Sequence, residues 1–299
     1  MTIHAPRGTL DILPADTAKW QYVEQVARDI CGRFGYREIR TPLFEATELF
    51  ARGIGEATDI VEKEMYTFLD KAERSITLRP EGTASVVRAF LEHNLGQILP
   101  VKVYYIGPVF RYERPQAGRY RQHHQMGIEA LGSQDPSLDG ETMSLAIRFY
   151  QALGLSNLQI RMNSIGCKVC KPRYREALRA YAQPRLETFC GECRRRLERN
   201  PLRILDCKVP ACRELVREAP PNYSHLCGDC SAHFEGVKHY LEILSIPYVL
   251  DPLIVRGLDY YTRTVYEVTS ESLGAQNSLC GGGRYDDLAE ELGGKPTPA

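Results

Sequence analysis

The chain has 299 residues, of which 43% are hydrophobic and 25% charged, and its 38 basic residues balance its 38 acidic residues. This length fits two domains, or one large domain with an insertion, and the composition excludes a disordered or fibrous chain. Because the net charge is zero, a nucleic-acid partner would have to bind a local basic face. No apolar run approaches the roughly 20 residues that span a bilayer and the start lacks a signal-peptide pattern, so we expect a cytoplasmic protein.

The first third of the chain predicts helices alternating with short strands. Apolar residues recur at helical spacing from Thr17 to Phe34, behind Asp16 or Thr17 as the N-cap. The elements predicted next are a strand at Tyr36–Pro42, a short helix at Glu45–Arg52, a hairpin of Tyr66–Asp70 with Ser75–Leu78, and a helix at Gly82–His93.

The remaining elements predict a sheet covered by helices. Strands are expected at Val101–Phe110 and Gln122–Leu131, joined by a long polar loop. Further on we expect a helix at Leu138–Leu153, a strand at Leu158–Asn163, a helix at His233–Leu244, strands at Tyr248–Leu250, Thr264–Thr269 and Leu279–Gly281, and a short helix at Tyr285–Leu292. Hairpin connections outnumber β-α-β units, which favours an α+β fold with a mainly antiparallel β-sheet flanked by helices.

Eight of the ten cysteines lie between Cys167 and Cys230, where 14 Lys or Arg residues oppose 8 Asp or Glu residues. A predicted strand stops where this window begins, and a predicted helix starts after it. The window is therefore expected to be an insertion, residues 166–232, in a domain made of residues 1–165 and 233–299. Without a signal peptide, a reducing compartment and free thiols are expected rather than disulfides.

The spacing of these cysteines indicates metal binding. Three C-x₂-C pairs and one C-x₄-C pair supply eight thiolates, enough for two tetrahedral zinc sites. Sequential pairing would give one site from Cys167, Cys170, Cys190 and Cys193 and a second from Cys207, Cys212, Cys227 and Cys230, with zinc-ribbon-like spacing. Crossed pairing stays open, as do iron–sulfur ligation and free thiols. Since the window holds few large apolar groups, we expect the metal to supply much of its folding energy.

A basic loop, Phe110–Arg121, contains four arginines and a single acid, Glu113. Planar guanidinium groups bind two phosphate oxygens at once, so the loop suits a polyanion, although a solvated basic loop has the same charge pattern. Polar residues flank it at Thr77–Thr83 and at Gln122–Glu129. Within the second segment Gln125, Gly127 and Glu129 recur with period two, which places them on one face of a strand.

At this point the sequence resembles the histidyl-tRNA synthetase family of class II aminoacyl-tRNA synthetases, over nearly the whole chain. The resemblance rests on six segments in the family's order. They are Arg7-Gly-Thr9, Thr41-Pro42 of the first class II motif, Arg79-Pro-Glu-Gly-Thr83, the second motif FRYERPQAGRYRQ from Phe110 to Gln122, the histidine signature Arg256-Gly-Leu-Asp-Tyr-Tyr-Thr-Arg263, and Gly281-Gly-Gly-Arg-Tyr-Asp286.

The resemblance implies the class II catalytic fold and a two-step ligase reaction. Histidine is activated with ATP and Mg²⁺ to histidyl-adenylate, and the histidyl group then passes to the 3′ end of tRNA(His). Arg111 and Arg256 would clamp the α-phosphate, and these two with Gln125 would form the catalytic group. For ATP, the resemblance also implies contacts from Glu113 to the adenine, from Arg119 to the outer phosphates, and from His123 by stacking on the base.

For histidine, the resemblance implies that Glu81, Thr83 and Gln125 hold the α-amino group, while Glu129, Tyr260 and Tyr261 surround the imidazole. Adjacent tyrosines point to opposite faces, so one of the two could instead belong to the core or to a supporting layer. The family's tRNA contacts correspond to Gln116 and Arg121 in the loop and to Arg194, Arg195 and Arg196 in the insertion, for which a solvated surface is the alternative. The first motif implies a homodimer.

The sequence departs from the family pattern in three places. His123 replaces the usual phenylalanine and brings a titration near neutral pH, so ATP affinity could depend on pH. Asp287 stands where glycine is common. The chain ends at Ala299, before the end of the third motif, so we expect a fragment without the anticodon-binding domain and of uncertain activity of its own. The alternatives are a regulatory subunit of ATP phosphoribosyltransferase, which binds histidine without activating it, and an RNA-binding zinc module.

Overall fold

A computed structural model describes residues 2–55, 58–115, 119–271 and 277–299. The chain divides into two compact units. Unit 1 contains Met1–Gln134, Gly257–Tyr260 and Asp286–Ala299, and unit 2 contains Asp135–Arg256 and Tyr261–Tyr285. The predicted insertion, residues 166–232, lies inside unit 2, and its boundaries stay a prediction. Among the described residues, no helix is both long enough and apolar enough to cross a membrane.

Unit 1 begins with helix α1 (Pro14–Arg33). The predicted N-cap at Asp16 or Thr17 is wrong: Leu13 precedes the helix, without a side-chain cap bond, and Pro14 occupies the first turn. Proline suits that position because its fixed φ is helical and its missing N–H would have had no partner. The strand expected at Tyr36–Pro42 is reduced to β1 (Arg37–Glu38).

Two more sheet segments and two helices complete most of unit 1. Strand β2 (Phe44–Ala46) leads into α2 (Thr47–Ile54), and β3 (Tyr66–Leu69) pairs with β4 (Ser75–Leu78) as the predicted hairpin. The sheet order is β2-β4-β3, antiparallel throughout. Helix α3 (Thr83–Glu92) follows and packs with α2 around a buried apolar cluster, whose members are Leu49, Phe50, Ile54, Ile60 and Ala84. Residues Ile60–Glu64 form one π-helical turn, and Leu95–Gln97 a 3₁₀ turn.

The long hairpin of unit 1 consists of β5 (Val101–Phe110) and β6 (Gln122–Leu131), with the bounds predicted from sequence. The two strands pair antiparallel along their full length, and β1 adds in parallel to the other edge of β5. This hairpin carries the basic loop at its end and the polar face of β6 along its length.

Unit 2 contains helix α4 (Pro136–Ala152) and a four-stranded sheet. The strands are β7 (Leu158–Ser164), β8 (Tyr248–Leu250), β9 (Thr262–Ser270) and β10 (Ser278–Arg284), in the order β10-β9-β7-β8. Only β7 and β8 pair in parallel. Together with β1 and β5, this gives mixed and antiparallel sheets flanked by helices, as the α+β prediction requires.

The cysteine-rich segment is helical rather than ribbon-like, and residues 165–247 contain no strand. Its helices are α5 (Cys170–Ala182), α6 (Gly191–Arg199) and α7 (Pro210–Arg217), with 3₁₀ turns at Gln183–Thr188, Pro201–Ile204 and Asn222–His225. Helix α8 (Gly228–Ile243) begins five residues earlier than predicted, inside the segment. The short helix α9 (Leu288–Glu291) belongs to unit 1.

The described residues of unit 2 form at least two apolar cores. One lies between α4, α8 and the sheet, where Met143, Ile160, Met162 and Val237 are fully buried. A second belongs to the cysteine-rich segment and corrects the expectation that this segment holds few large apolar groups. Its buried members are Tyr174, Leu178, Ala182, Phe189, Cys193, Leu197, Ile204, Leu205, Cys207, Cys212, Val216 and Ala219.

Candidate active site

The polar face of β6 is formed as the alternation predicts. Across the hairpin Gln125 stands opposite Gly107, Gly127 opposite Tyr105 and Glu129 opposite Val103. Tyr105, which the sequence reasoning missed, crosses this face: a Cβ built at Gly127 would lie 2.3 Å from its ring. A Cβ at Gly82 would lie 2.2 Å from the same ring. The two glycines were the available signal, because both are required to give the tyrosine room.

A buried group of polar side chains forms where α3 begins. The Glu81 carboxylate accepts backbone N–H bonds from Thr83 (2.6 Å) and Ala84 (2.9 Å), and Thr83 donates its hydroxyl to Glu129 Oε1 at 2.7 Å. Burial raises the pKa of the Glu81 carboxyl, and the backbone N–H groups oppose that shift. Glu81, Thr83 and Glu129, predicted from distant parts of the sequence, are therefore brought together.

Arg111 joins this group through the backbone. Its Nε donates to the carbonyl of Pro80 at 2.9 Å, and its peptide N–H donates to the carbonyl of Arg121 at 2.8 Å. The first bond holds the guanidinium beside the residue that precedes Glu81. The arginine of the loop is thus fixed to the backbone of the Arg79–Thr83 segment within unit 1.

The loop arginines make contacts with the loop's single acid. Arg119 lies 3.2 Å from the Glu113 carboxylate, and Arg121 Nε donates to the Glu113 carbonyl at 3.3 Å. The Arg121 guanidinium also lies over the Tyr112 ring, 3.9 Å from its centroid. These contacts gather three of the predicted ATP and tRNA residues at the end of the hairpin. Gln116 lies outside the described residues.

His123 begins the polar face of β6 and is half-buried. Burial lowers the pKa of its imidazole, and the nearby Arg111 charge lowers it further. The titration expected near neutral pH therefore moves to the acidic side, and the ring is mainly neutral at pH 7. A neutral imidazole can stack on a base without adding positive charge.

Two predicted residues form a group within unit 2. The Arg256 guanidinium pairs with Glu267 at 3.0 Å and lies 5.8 Å from the centroid of the Tyr261 ring. Gly281 is required beside it, because a Cβ there would be 2.4 Å from Arg256 Nη1. Glu267 was missed from sequence, since its strand gave no sign of a charged partner. Tyr260 is also buried and belongs to unit 1.

A second buried ionic group was not predicted. Arg284, at the end of β10, donates to Asp139 at 2.8 Å, and His233 Nε2 lies 3.3 Å from the same carboxylate. All three side chains are at most 5% exposed. The pair joins residues 145 positions apart, so no local spacing pattern could have shown it.

The eight predicted metal ligands form two groups of four, but the sequential pairing is wrong. One group is Cys167, Cys170, Cys227 and Cys230, and the other is Cys190, Cys193, Cys207 and Cys212. Cys167 and Cys170 meet Cys227 and Cys230 because β7 and α8 share one apolar core, which brings the two ends of the segment together. The second group lies in sequence between Cys170 and Cys227.

The spacing of the sulfur atoms fits a tetrahedral metal ion. With Zn–S bonds near 2.3 Å, ligand sulfurs are about 3.8 Å apart. The observed separations are 3.7 Å for Cys167 to Cys170, 3.9 Å for Cys167 to Cys227, and 3.9 Å for Cys190 to Cys207. These are far beyond a disulfide bond, and all of these cysteines are free thiols.

Backbone N–H groups also point at the sulfurs. The Cys227 amide donates to Cys170 Sγ at 3.1 Å, and the Cys190 amide donates to Cys212 Sγ at 3.3 Å. Burial raises the pKa of Cys167, but hydrogen bonds from backbone N–H groups and neighbouring thiols outweigh burial and lower the pKa to about 7. The Cys193 amide and neighbouring thiols lower the pKa of Cys190 to about 7. Each group thus contains a thiol that readily ionises, as a metal ligand must.

Comparison with known proteins decides the family. The sequence pattern of the family described as histidyl-tRNA synthetase matches residues 8–299. The chain is 58% identical to the histidine–tRNA ligase of Moorella thermoacetica over 299 residues, which is 100% of this chain and 71% of that protein. It is 56% identical to that of Desulforamulus reducens over 98% of this chain and 70% of that protein. The chain belongs to the histidyl-tRNA synthetase family.

Solved structures of histidyl-tRNA synthetases share the fold. The apo enzyme of Staphylococcus aureus superposes with a TM-score of 0.79 at 42% identity, covering 99% of this chain and 70% of that one. A Bacillus halodurans protein, described both as an ATP phosphoribosyltransferase regulatory subunit and as a histidyl-tRNA synthetase, gives a TM-score of 0.71 at 23% identity. At that identity the second likeness shows the fold alone, so it does not favour the regulatory alternative.

The insertion arginines make local contacts in this member of the histidyl-tRNA synthetase family. Arg194 donates to the Phe189 carbonyl at 3.0 Å, Arg195 pairs with Glu192, and Arg196 donates to the Arg203 carbonyl at 3.1 Å. Their side chains range from 24% exposed at Arg196 to 72% at Arg195. Their role in RNA binding stays a prediction.

Proposed function

We propose that this chain activates histidine with ATP and transfers the histidyl group to tRNA(His), the reaction of the family to which it belongs. The observation that carries the proposal is the buried group at the start of α3, in which Glu81, Thr83 and Glu129 meet beside Arg111. An amino acid with a polar side chain needs these partners: acceptors for an ammonium group and for a ring N–H, and a cation for its carboxylate.

In the activation step a histidine carboxylate oxygen forms a bond to the α-phosphorus of ATP, and the bond from that phosphorus to the bridging oxygen breaks as pyrophosphate leaves. Negative charge increases on the α-phosphate oxygens in the transition state. Arg111 would offset that charge, and its bond to the Pro80 carbonyl fixes it before the substrate arrives. By resemblance, Arg256 acts on the same phosphate, and Gln125 orients the substrate.

The remaining ATP contacts come from the hairpin end. Glu113 would accept the adenine amino group, Arg119 would bind the outer phosphates, and His123 would stack on the base. The ion pair of Arg119 with Glu113 supports this, because it places the two groups side by side. Mg²⁺ would be bound largely through the phosphates, as it usually keeps several waters and takes only one or two protein carboxylates.

Selection of histidine would depend on buried hydrogen-bonding groups. Glu81, Thr83 and Gln125 would bind the α-amino group, and Glu129 would accept from the imidazole between Tyr260 and Tyr261. Glu129 is 5% exposed, and an amino acid without a ring N–H could not supply the hydrogen bond that an imidazole would donate to this buried carboxylate. Sites of this kind reject such analogues by as much as about 10⁴–10⁵.

The two cysteine groups fit Zn²⁺ ions in a structural role. Each has four sulfurs at tetrahedral spacing, which leaves no ligand position for a substrate. When bound, zinc would supply cross-links and no chemistry to the reaction. The basic residues of the same segment, including Arg194, Arg195 and Arg196, would face the acceptor stem of the tRNA, together with Gln116 and Arg121 of the loop.

A homodimer is part of the proposal. Large apolar side chains on and next to the small sheet of unit 1 are exposed: Leu43 at 44%, Phe44 at 56%, Phe68 at 49% and Leu69 at 66%. Leu43 and Phe44 directly follow Thr41 and Pro42, which resemble the dimer-forming first motif, and Phe68 and Leu69 lie on another strand of the same sheet. Exposed large apolar side chains grouped on one sheet support an interface at this face.

The test is pyrophosphate exchange into ATP with each amino acid supplied singly. We expect exchange with histidine alone and a loss of at least about 100-fold in Arg111→Ala, the usual cost of removing a group that stabilises transition-state charge. Arg114→Ala is the matched control, because Arg114 lies exposed in the same loop and has no assigned role. Exchange that does not depend on histidine, or an equal loss in both variants, would contradict the proposal.

A further inference from the structure

The pairing of the cysteines divides the segment into an outer and an inner loop. The outer group (Cys167, Cys170, Cys227 and Cys230) joins the point where the chain leaves β7 to the point where it enters α8. The inner group (Cys190, Cys193, Cys207 and Cys212) is formed entirely within that loop. A metal at the outer group therefore closes the base of the segment, whereas a metal at the inner group cross-links its tip.

The base of the segment is bonded to the start of β9. Ile165 donates its N–H to the Arg263 carbonyl at 2.8 Å, and Arg263 donates its N–H to the Gly166 carbonyl at 2.9 Å. Gly166 packs directly on an outer ligand, because a Cβ built there would be 2.3 Å from Cys170 Cβ. The outer group is thus one residue away from a backbone pair that includes the last residue of the histidine signature.

Arg263 has an unusual backbone at this pair. Its φ of +46° is in the left-handed region, which a residue with a long side chain rarely adopts. Such a conformation persists only where the surrounding structure fixes it, and it is found most often at functional sites. The two hydrogen bonds to 165–166 provide that fixation. Two residues earlier stands Tyr261, whose ring lies near Arg256.

The inner group has different surroundings. Three of its cysteines are part of the apolar core formed within residues 174–219, and the fourth packs against it. Leu253 and Val255, which precede the histidine signature in the chain, also pack against this core. That packing is apolar and shared among many side chains, so it does not depend on one ligand.

We propose that a zinc ion bound by the outer group is a clasp that fixes the Arg263 backbone and so positions Tyr261 for histidine, while zinc at the inner group stabilises only the tip. The positioning of Tyr261 for histidine rests on the proposed function. The effect of the outer zinc ion on the Arg263 backbone does not, because it concerns a backbone amide. The residues of the outer group are positioning residues and contact no substrate.

Cys227→Ser and Cys190→Ser form a matched pair of variants. Each removes the first cysteine of a C-x₂-C pair, each cysteine directly precedes a helix, and both are partly exposed. Three quantities are measured on the full chain: zinc content, hydrogen exchange of the Arg263 amide, and the Kd for histidine by calorimetry.

Both variants should lose one zinc ion of two. Cys227→Ser should lose at least tenfold protection at the Arg263 amide and bind histidine at least tenfold more weakly. Cys190→Ser should keep the Arg263 protection and change the histidine Kd by less than threefold. Equal protection in both variants, or an equal loss in both, overturns the clasp. If the wild-type chain binds no histidine while the amide result holds, the proposed function fails and the clasp stands.

Two further experiments separate positioning from loss of folding. Cys227→His retains a zinc ligand and should restore both the second zinc ion and the histidine Kd to within threefold of wild type. If Cys227→Ser does not fold, chelation of zinc from the Cys190→Ser protein decides the question, since it removes the ion of the outer group without changing any outer ligand. We expect chelation to expose the Arg263 amide and to weaken histidine binding. Unchanged protection of the Arg263 amide after chelation overturns the proposal.

Discussion

Replacing Glu129 tests the assigned source of histidine selectivity. The carboxylate is 5% exposed and accepts the Thr83 hydroxyl through Oε1 at 2.7 Å. An ionised carboxylate can accept several hydrogen bonds on its two oxygens, so a bond from an imidazole N–H is compatible with the bond from Thr83. Glu129→Ala removes that acceptor, and Glu129→Gln keeps the shape and an acceptor for Thr83 but removes the charge.

The expected magnitude follows from the burial and the charge. A hydrogen bond to a charged group contributes about 1.5–3 kcal/mol, which corresponds to roughly 10–150-fold in affinity. Because Glu129 is buried, solvent screening reduces this little, and we expect Glu129→Ala near the upper end. Glu129→Gln should lie between Ala and wild type, since an amide oxygen is a weaker acceptor for the ring N–H.

The assay is calorimetric titration of histidine into each variant, with thermal unfolding recorded in parallel to exclude loss of structure. The unfolding measurement is needed because Glu129→Ala also removes the carboxylate that accepts the hydrogen bond of the buried Thr83 hydroxyl. A folded Glu129→Ala protein whose histidine affinity falls by less than about 1 kcal/mol would refute the role of Glu129 as imidazole acceptor.

Three further predictions concern stability. Burial and a neighbouring guanidinium lower the folded-state pKa of His123, so stability present above its unfolded pKa of about 6.5 is lost as pH falls. In urea unfolding, the free energy of unfolding of His123→Phe should therefore rise relative to that of wild type between pH 7 and pH 5. A difference that is the same at both pH values would contradict the lowered pKa. Gly127→Ala should cost about 1–3 kcal/mol by forcing Tyr105 aside, whereas Gly191→Ala, with open space around it, should change the unfolding free energy by less than about 0.5 kcal/mol. Asp139→Asn should destabilise by roughly 3–5 kcal/mol in the same assay, because it leaves a buried arginine uncompensated, and a loss below about 1 kcal/mol would show that the pair contributes little.

The long hairpin could be predicted with its bounds because its signals are local and strong. Strands β5 and β6 are ten residues each and flank a polar, arginine-rich loop, and the polar face of β6 follows from period two alone. The short strands at Ser75–Leu78 and Tyr248–Leu250 were also predicted correctly, whereas the strand at Tyr36–Pro42 and the start of α1 were not, because tertiary contacts decide them. Of the expected strand, Arg37 and Glu38 pair in register with β5 and Ile39 donates one more backbone bond to Tyr104, and α1 begins at a proline rather than at a polar cap.

The site was predictable in its residue types but not in all of its contacts. The cysteine count and spacing indicated two groups of four, yet their pairing depends on where β7 and α8 meet, and no spacing rule encodes that. Tyr105 was missed because the glycines it packs against, Gly82 and Gly127, are more than 20 positions away in the chain. Glu267 lies 11 positions from its partner Arg256, and it was missed because no sequence pattern links the two. The shifted pKa of His123 likewise depends on burial, which a motif comparison does not give.

Binding of a non-hydrolysable histidyl-adenylate analogue is the most direct measurement of the central claim. Calorimetry on the purified chain should give a Kd at least about 100-fold lower than that of histidine alone, because an analogue of the activated intermediate uses the histidine and ATP contacts together. The seryl-adenylate analogue should bind no more tightly than ATP. Equal affinity for the two analogues, or no gain over free histidine, would contradict the assignment of this site to histidine activation.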